Sequence, residues 1–155
     1  IVEWLSWGLK LGRDGARVRA MHDAPAYTAR TGDILVRVRP SFLAGQSSPE
    51  DGRWVWAYQV EIENLGAGPV QLMARHWRIT DGRGVTHEVR GPGVVGEQPV
   101  IEAGGRYSYA SGCPLGTDSG SMVGSYEMSD DKGETFEAAI PAFSLDVPGE
   151  PRILN

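Results

Sequence analysis

The chain has 155 residues, a formal charge of −5, and 41% hydrophobic against 23% charged residues, the profile of one globular domain able to bury a sizeable core. The negative balance argues against non-specific binding to nucleic acid, and no apolar run is long enough to span a membrane. Cys113 is the only cysteine, so an internal disulfide is excluded and nothing indicates a secreted, stapled fold.

Residues 1–30 are expected to form an N-terminal extension, 31–150 the domain, and 151–155 a tail. Ile1 to Leu11 places Trp4, Trp7 and Leu11 at helical spacing, but it lacks the basic start and cleavage site of a signal peptide. Two readings stand. One, preferred, is a translated leader ahead of a start at Met21; the other is a short amphipathic helix that docks on the domain, a partner or a membrane surface. Arg13 to Arg19 is basic and broken by glycine, which suits a linker.

Ile34, Val36 and Val38 alternate with Leu35, Arg37 and Arg39, which predicts a strand with one buried face. Gln46 to Gly52 has loop composition. Trp54, Trp56, Tyr58, Val60 and Ile62 alternate with Gln59, Glu61 and Glu63, so an aromatic stripe is expected in the central core rather than in a ligand groove. After the Asn64 to Pro69 turn the apolar phase changes: Val70 and Leu72 are even-numbered, Trp77 and Ile79 odd. Both pairs reach the core only if an extra residue is absorbed, which predicts a β-bulge near Met73 to Arg75 and leaves the face of Arg75 open. Tyr107 and Tyr109, then Met122, Tyr126 and Met128, predict further strands. Asp130-Asp131-Lys132-Gly133 reads as a hairpin turn, with Phe136, Ala138 and Ile140 returning and Phe143, Leu145 and Val147 continuing the alternation. Seven or more short strands with no helical period predict an all-β, antiparallel β-sandwich.

The sharpest turn signal is Asp81-Gly82-Arg83-Gly84. If Asp81 pairs with Val85, Arg78 faces Glu88 and Thr80 faces Thr86 on one side. Ile79 then faces His87 and Trp77 faces Val89 on the other. A slip by one residue would set Trp77 against Glu88, so the first register is chosen. It predicts Trp77, Ile79, Val85 and Val89 in the core and His87 facing inward, with His76, Arg78, Glu88 and Arg90 outside.

Gly91, Gly93 and Gly96 fit Gly-x-Gly-x-x-Gly, but Pro92 occupies the turn and Glu97-Gln98-Pro99 leaves no room for a helix. A dinucleotide fold is therefore not expected. The glycines either present N–H groups to an anion beside Arg90 or only permit a tight crossover between sheets. The three histidines, His22, His76 and His87, and one cysteine support no zinc set, and Asp130, Asp131 and Glu134 read as solvated turn acids. No catalytic constellation stands out: no residue is assigned a catalytic role, and no metal ligand or cofactor is expected. Cys113 reads as a small packed residue.

Several separate motifs carry a family resemblance. Arg75-His76-Trp77-Arg78-Ile79-Thr80-Asp81, Val89 through Pro99, Ser111-Gly112-Cys113-Pro114-Leu115, Gly120 through Tyr126 and Ile140-Pro141-Ala142-Phe143 resemble the ApaG family in that order. The resemblance runs from about Ile34 to Val147. It implies an immunoglobulin- or fibronectin type III-like sandwich in a bacterial cytosolic protein associated with cobalt and magnesium tolerance, with no settled enzymatic activity. It also implies a gene neighbourhood beside a dinucleoside-polyphosphate hydrolase.

The expected function is a non-enzymatic cytosolic binding module with an unknown protein partner. The alternative is a protein that binds, or hydrolyses, a phosphate-containing small molecule through the Gly-rich loop. Arg90, Gly91, Gly93 and Gly96, with His76 and Arg78 on the same face, are the candidate anion- or partner-binding residues. Pairing of the first and last strands across a two-fold axis would give a homodimer.

Overall fold

A computed structural model describes residues 25–149. The readings of the leader, of Met21 and His22, of the 13–19 linker and of the 151–155 tail fall outside the described residues. The strands are β1 (Tyr27–Thr31), β2 (Ile34–Phe42), β3 (Trp54–Asn64), β4 (Val70–Asp81), β5 (Thr86–Pro92), β6 (Val100–Ile101), β7 (Arg106–Leu115), β8 (Gly120–Asp130) and β9 (Thr135–Leu145). They form an antiparallel β-sandwich, with one sheet ordered β1-β2-β3-β7 and the other β5-β4-β8-β9, β6 pairing with β4.

The register follows from which side chains must meet. Thr80 pairs with Thr86, Ile79 with His87, Arg78 with Glu88 and Trp77 with Val89. The register of β4 on β8 shifts between Leu72 and Ala74, the expected bulge. A second shift lies between Met122 and Gly124, opposite the stretch of β9 that holds Pro141. A proline cannot donate to a ladder, so it is tolerated at such an irregularity.

Trp56, Tyr58, Val60 and Ile62 from β3 meet Trp77 and Ile79 from β4 and Phe143 from β9 in the interior. Trp77 lies edge-on to Tyr58 and Phe143 at 5.3 and 6.0 Å between ring centres. Such geometry adds to the burial term. The buried Trp56 indole donates to Asp146 O at 2.8 Å, so its polar atom costs little. The chain changes sheets at Asn64, which is 1% exposed. Its Nδ2 donates to Gly68 O and Ile101 O, and its Oδ1 accepts from Gly66 N at 3.0 Å.

Three expectations about burial are corrected. Val85 is 48% exposed and His87 is also exposed: Val85 lies in the turn before β5, and His87 lies on β5, an edge strand. Trp54, at the start of β3, is only partly buried. The outer face of β3 is not solvated as alternation implied. Val55 and Ala57 pack under Leu43, and Gln59 and Glu63 are 7% and 8% exposed. A charge network covers the rest, with Arg37 Nη1 at 2.7 Å from Glu61 and Arg106 Nε at 2.6 Å from Glu63. The first and last strands lie beside each other in one molecule, Ala139 N donating to Thr31 Oγ1.

Candidate functional site: the β4–β5 hairpin and the Gly-rich loop

The hairpin from Arg75 to Pro92 carries four arginines against two acids in a chain whose total charge is negative. Asp81 sets its turn. Its Oδ1 accepts from the N–H groups of Arg83 and Val85 at 2.9 and 3.0 Å, and Gly84 takes φ +83°. The outer face then presents His76 opposite Arg90, with Arg78 opposite Glu88. Arg78 and Arg90 are exposed, and neither forms an ion pair among the described residues. Glu88 was expected to answer Arg78. It lies instead 3.6 Å from His76 Nε2, one diagonal step away.

The loop beyond β5 is locked from within. Gly93 N donates to Met73 O, and Val94 and Glu97 exchange both backbone hydrogen bonds, at 2.8 and 2.9 Å. The amides expected to face an anion are thus partly spent on the loop's own backbone. Gly91 lets the Arg75 guanidinium lie close over the backbone: a Cβ there would sit 3.1 Å from it. Arg75 Nη1 donates to Pro92 O at 3.0 Å and Gly93 O at 2.9 Å, so this arginine pins the loop through its carbonyls. Gly93 has φ +60°, and a Cβ there would lie 2.1 Å from Glu97 O. Gly96, with φ +81°, completes the turn in open space. Outside, Tyr107 Oη donates to Glu97 at 2.9 Å and ties the loop to β7. Burial, followed by the hydrogen bond and charge of Glu97, pushes the Tyr107 hydroxyl up to about 12.

Arg75 is the residue whose face could not be assigned. It points inward, toward a small cavity also lined by Tyr58, Tyr109 and Ser111. The bulge carried the signal. Once Met73 is absorbed, odd-numbered residues of β4 face the core, and Arg75 follows Trp77 and Ile79. The Tyr58, Tyr109 and Tyr126 hydroxyls are all raised, chiefly by burial, and the thiol of Cys113 is raised by burial alone. Cys113 therefore stays a thiol, the form that is neither nucleophile nor metal ligand. Among the described residues, no three of His, Cys, Asp and Glu are placed to share a metal ion. At the other end of the molecule Asp130 Oδ1 accepts from Lys132 N and Glu134 N, a turn role. No helix of the described residues is long and apolar enough to cross a membrane.

The geometry has close parallels. The ApaG domain family matches residues 44–130. A Protein ApaG from Mesorhizobium japonicum is 55% identical over 129 residues, covering 83% of this chain and 99% of that protein. A Protein ApaG from Paramagnetospirillum magneticum is 57% identical over the same length and coverage. A crystal structure named for an ApaA protein from Bordetella pertussis superposes with a TM-score of 0.74 at 44% identity, covering 76% of this chain and 96% of that one. With the hairpin and the Gly-rich loop inside the 44–130 match and relatives above 50% identical over most of their length, the chain belongs to the ApaG family.

Proposed function

We propose that this chain is a non-enzymatic binding module of the bacterial cytosol, and that its contact surface is the outer face of the β4–β5 hairpin with the adjoining Gly-rich loop. One observation carries the reading: Arg78 and Arg90 stand exposed and unanswered by any described carboxylate, on a frame rigidified by Asp81, Arg75 and the Val94–Glu97 turn. A rigid surface loses little entropy on binding, and arginine engages a carboxylate or phosphate in a bidentate way. The partner is therefore an acidic protein segment, addressed by side chains more than by loop amides. His76 backs Arg90 across the ladder. In this reading the cobalt and magnesium tolerance implied by the resemblance runs through the partner.

The same two arginines favour the second reading, a phosphate-containing small molecule held at this face, with or without hydrolysis. A single experiment separates the two. The chain and its Arg78→Glu/Arg90→Glu variant are used to capture partners from native cytosol, and both are incubated with a dinucleoside polyphosphate and divalent metals. Retention of an acidic partner by the parent alone, with no turnover above background, is the expected result. Turnover above background that the double variant loses would overturn the module reading in favour of the second. Equal retention by both proteins would remove the surface.

A further inference from the structure

Between the sheets, beneath the Gly-rich loop, lies a cavity of about 30 Å³, room for about two water-sized groups. Tyr58, Trp77 and Val95 supply much of its apolar wall, and the polar wall is of one kind: the Arg75 guanidinium with the hydroxyls of Tyr58, Tyr109 and Ser111. No carboxylate lines it.

The donors around the cavity have capacity beyond the partners they already hold. Arg75 spends Nη1 on the Pro92 and Gly93 carbonyls, and a guanidinium carries further N–H groups. Among the described residues Arg75 forms no ion pair. Tyr109 and Tyr126 share one hydrogen bond between their hydroxyls, which leaves one of their two hydrogens for another acceptor. Tyr58 is bonded to Ser111. Burial keeps the tyrosines protonated, so they remain donors and bring no negative charge to balance the guanidinium. Arg75 is partly buried, and no carboxylate among the described residues balances its charge.

We propose that this cavity is a binding site for a compact monovalent anion, of halide or formate size, held by Arg75 and the tyrosine hydroxyls beneath Val95. The backbone of Val95 supports the assignment. It has φ +45°, the one described non-glycine residue with positive φ. That conformation is strained for a β-branched side chain, and such strain persists where the surroundings impose it. Val95 packs against the core and walls the cavity. Asparagine or glycine would suit the turn better, but neither would place an apolar group over the mouth. Excluding water there strengthens every electrostatic contact inside. The site is separate from Arg78 and Arg90, which do not line it.

The full chain, exchanged into a gluconate buffer, is titrated with sodium chloride, formate or sulfate at constant ionic strength. Side-chain N–H signals of Arg75 and Trp77 and the amides of Val94 to Gly96 are followed by NMR. Saturable shifts with chloride and formate, absent with the bulkier sulfate, are expected. Arg75→Gln should abolish them. Tyr58→Phe, which keeps the ring and deletes one hydroxyl, should weaken binding severalfold while the rest of the spectrum holds, so the outcome does not depend on Arg75→Gln folding. Shifts that grow linearly and equally with all three salts, or saturable shifts that Tyr58→Phe leaves unchanged, would overturn the site.

Discussion

Two turns border the same hairpin region and were built by opposite means. At Asp81–Val85 the residues suit the geometry: Asp81 accepts from two amides, Gly84 supplies the positive φ, and Asp81 and Val85 close the loop at 2.9 Å. At Val94–Glu97 the geometry overrides the residues. A two-residue loop with both central φ angles positive, +45° and +81°, calls for Asn-Gly, yet holds Val95-Gly96. The first turn is stabilised locally. The second is held by its surroundings, by Arg75 on the Pro92 and Gly93 carbonyls that lead into it, by Tyr107 on Glu97 and by the burial of Val94. A turn held by its surroundings reports on what lies beneath it.

One substitution at each turn should separate the two by the largest margin. Gly84 and Gly93 both have positive φ, but a Cβ at Gly84 meets nothing within 4 Å, while at Gly93 it meets Glu97 O at 2.1 Å. Gly84→Ala should cost about 1 kcal/mol, the backbone term alone. Gly93→Ala should cost more than about 3 kcal/mol, because a backbone oxygen must move as well. Urea denaturation checks both, and equal costs would mean that the loop at Gly93 yields freely.

The two neighbouring valines of the second turn differ in the same way. Val94 is 1% exposed, so Val94→Ala should cost about 2 kcal/mol through lost burial and a cavity. Val95→Asn gives up a partly buried side chain but relieves the turn, two terms of about 1 kcal/mol each that oppose one another. Its urea midpoint should stay close to the parent's. A large loss would show that Val95 contributes through packing far more than its backbone costs.

The same contrast explains how much was legible. Hairpin register and bulge were readable because a slip would have set Trp77 against Glu88, and a regular β4 would have turned either Val70 and Leu72 or Trp77 and Ile79 away from the core. The sandwich followed from strand alternation. Val85 and His87 were misplaced because alternation reports the side of a strand, not that Val85 lies in the turn or that β5 lies at an edge. The buried outer face of β3 was hidden because Leu43 and the Arg37–Glu61 and Arg106–Glu63 pairs come from elsewhere in the chain. In the candidate site, the exposed arginines were legible from register. The inward turn of Arg75, the meeting of the Tyr109 and Tyr126 hydroxyls and the strain at Val95 needed the two sheets to be brought together.

A smaller effect is expected at the well-encoded turn. Asp81→Ala removes the acceptor for Arg83 N and Val85 N. In an exposed turn, where water replaces the lost partner, the cost should be about 1 kcal/mol. Asp130 accepts from Lys132 N and Glu134 N in the same pattern at the β8–β9 turn, so Asp130→Ala should match it. Markedly different costs, measured by thermal denaturation, would show that the hairpin turn near the arginines carries coupling its twin lacks.

A small effect is also expected at the outer tie of the strained turn. Tyr107→Phe keeps the ring against Tyr109 and deletes the hydrogen bond to Glu97. The pair is accessible to solvent, so the loss at neutral pH should be below about 1 kcal/mol. Its pH dependence is the more specific signature. Burial and then Glu97 raise the folded Tyr107 hydroxyl to about 12 from an ordinary value of 10.0. Between those values the unfolded chain has released the proton while the folded chain keeps it, so stability falls as pH rises. The contribution is therefore complete below the ordinary tyrosine value and is lost toward the folded one. The parent should lose its advantage over Tyr107→Phe across that window, read as the difference in urea midpoints between neutral and alkaline buffers. A constant difference across the window would mean that Tyr107 steadies the loop by packing, and that the Glu97 bond does not hold the strained turn.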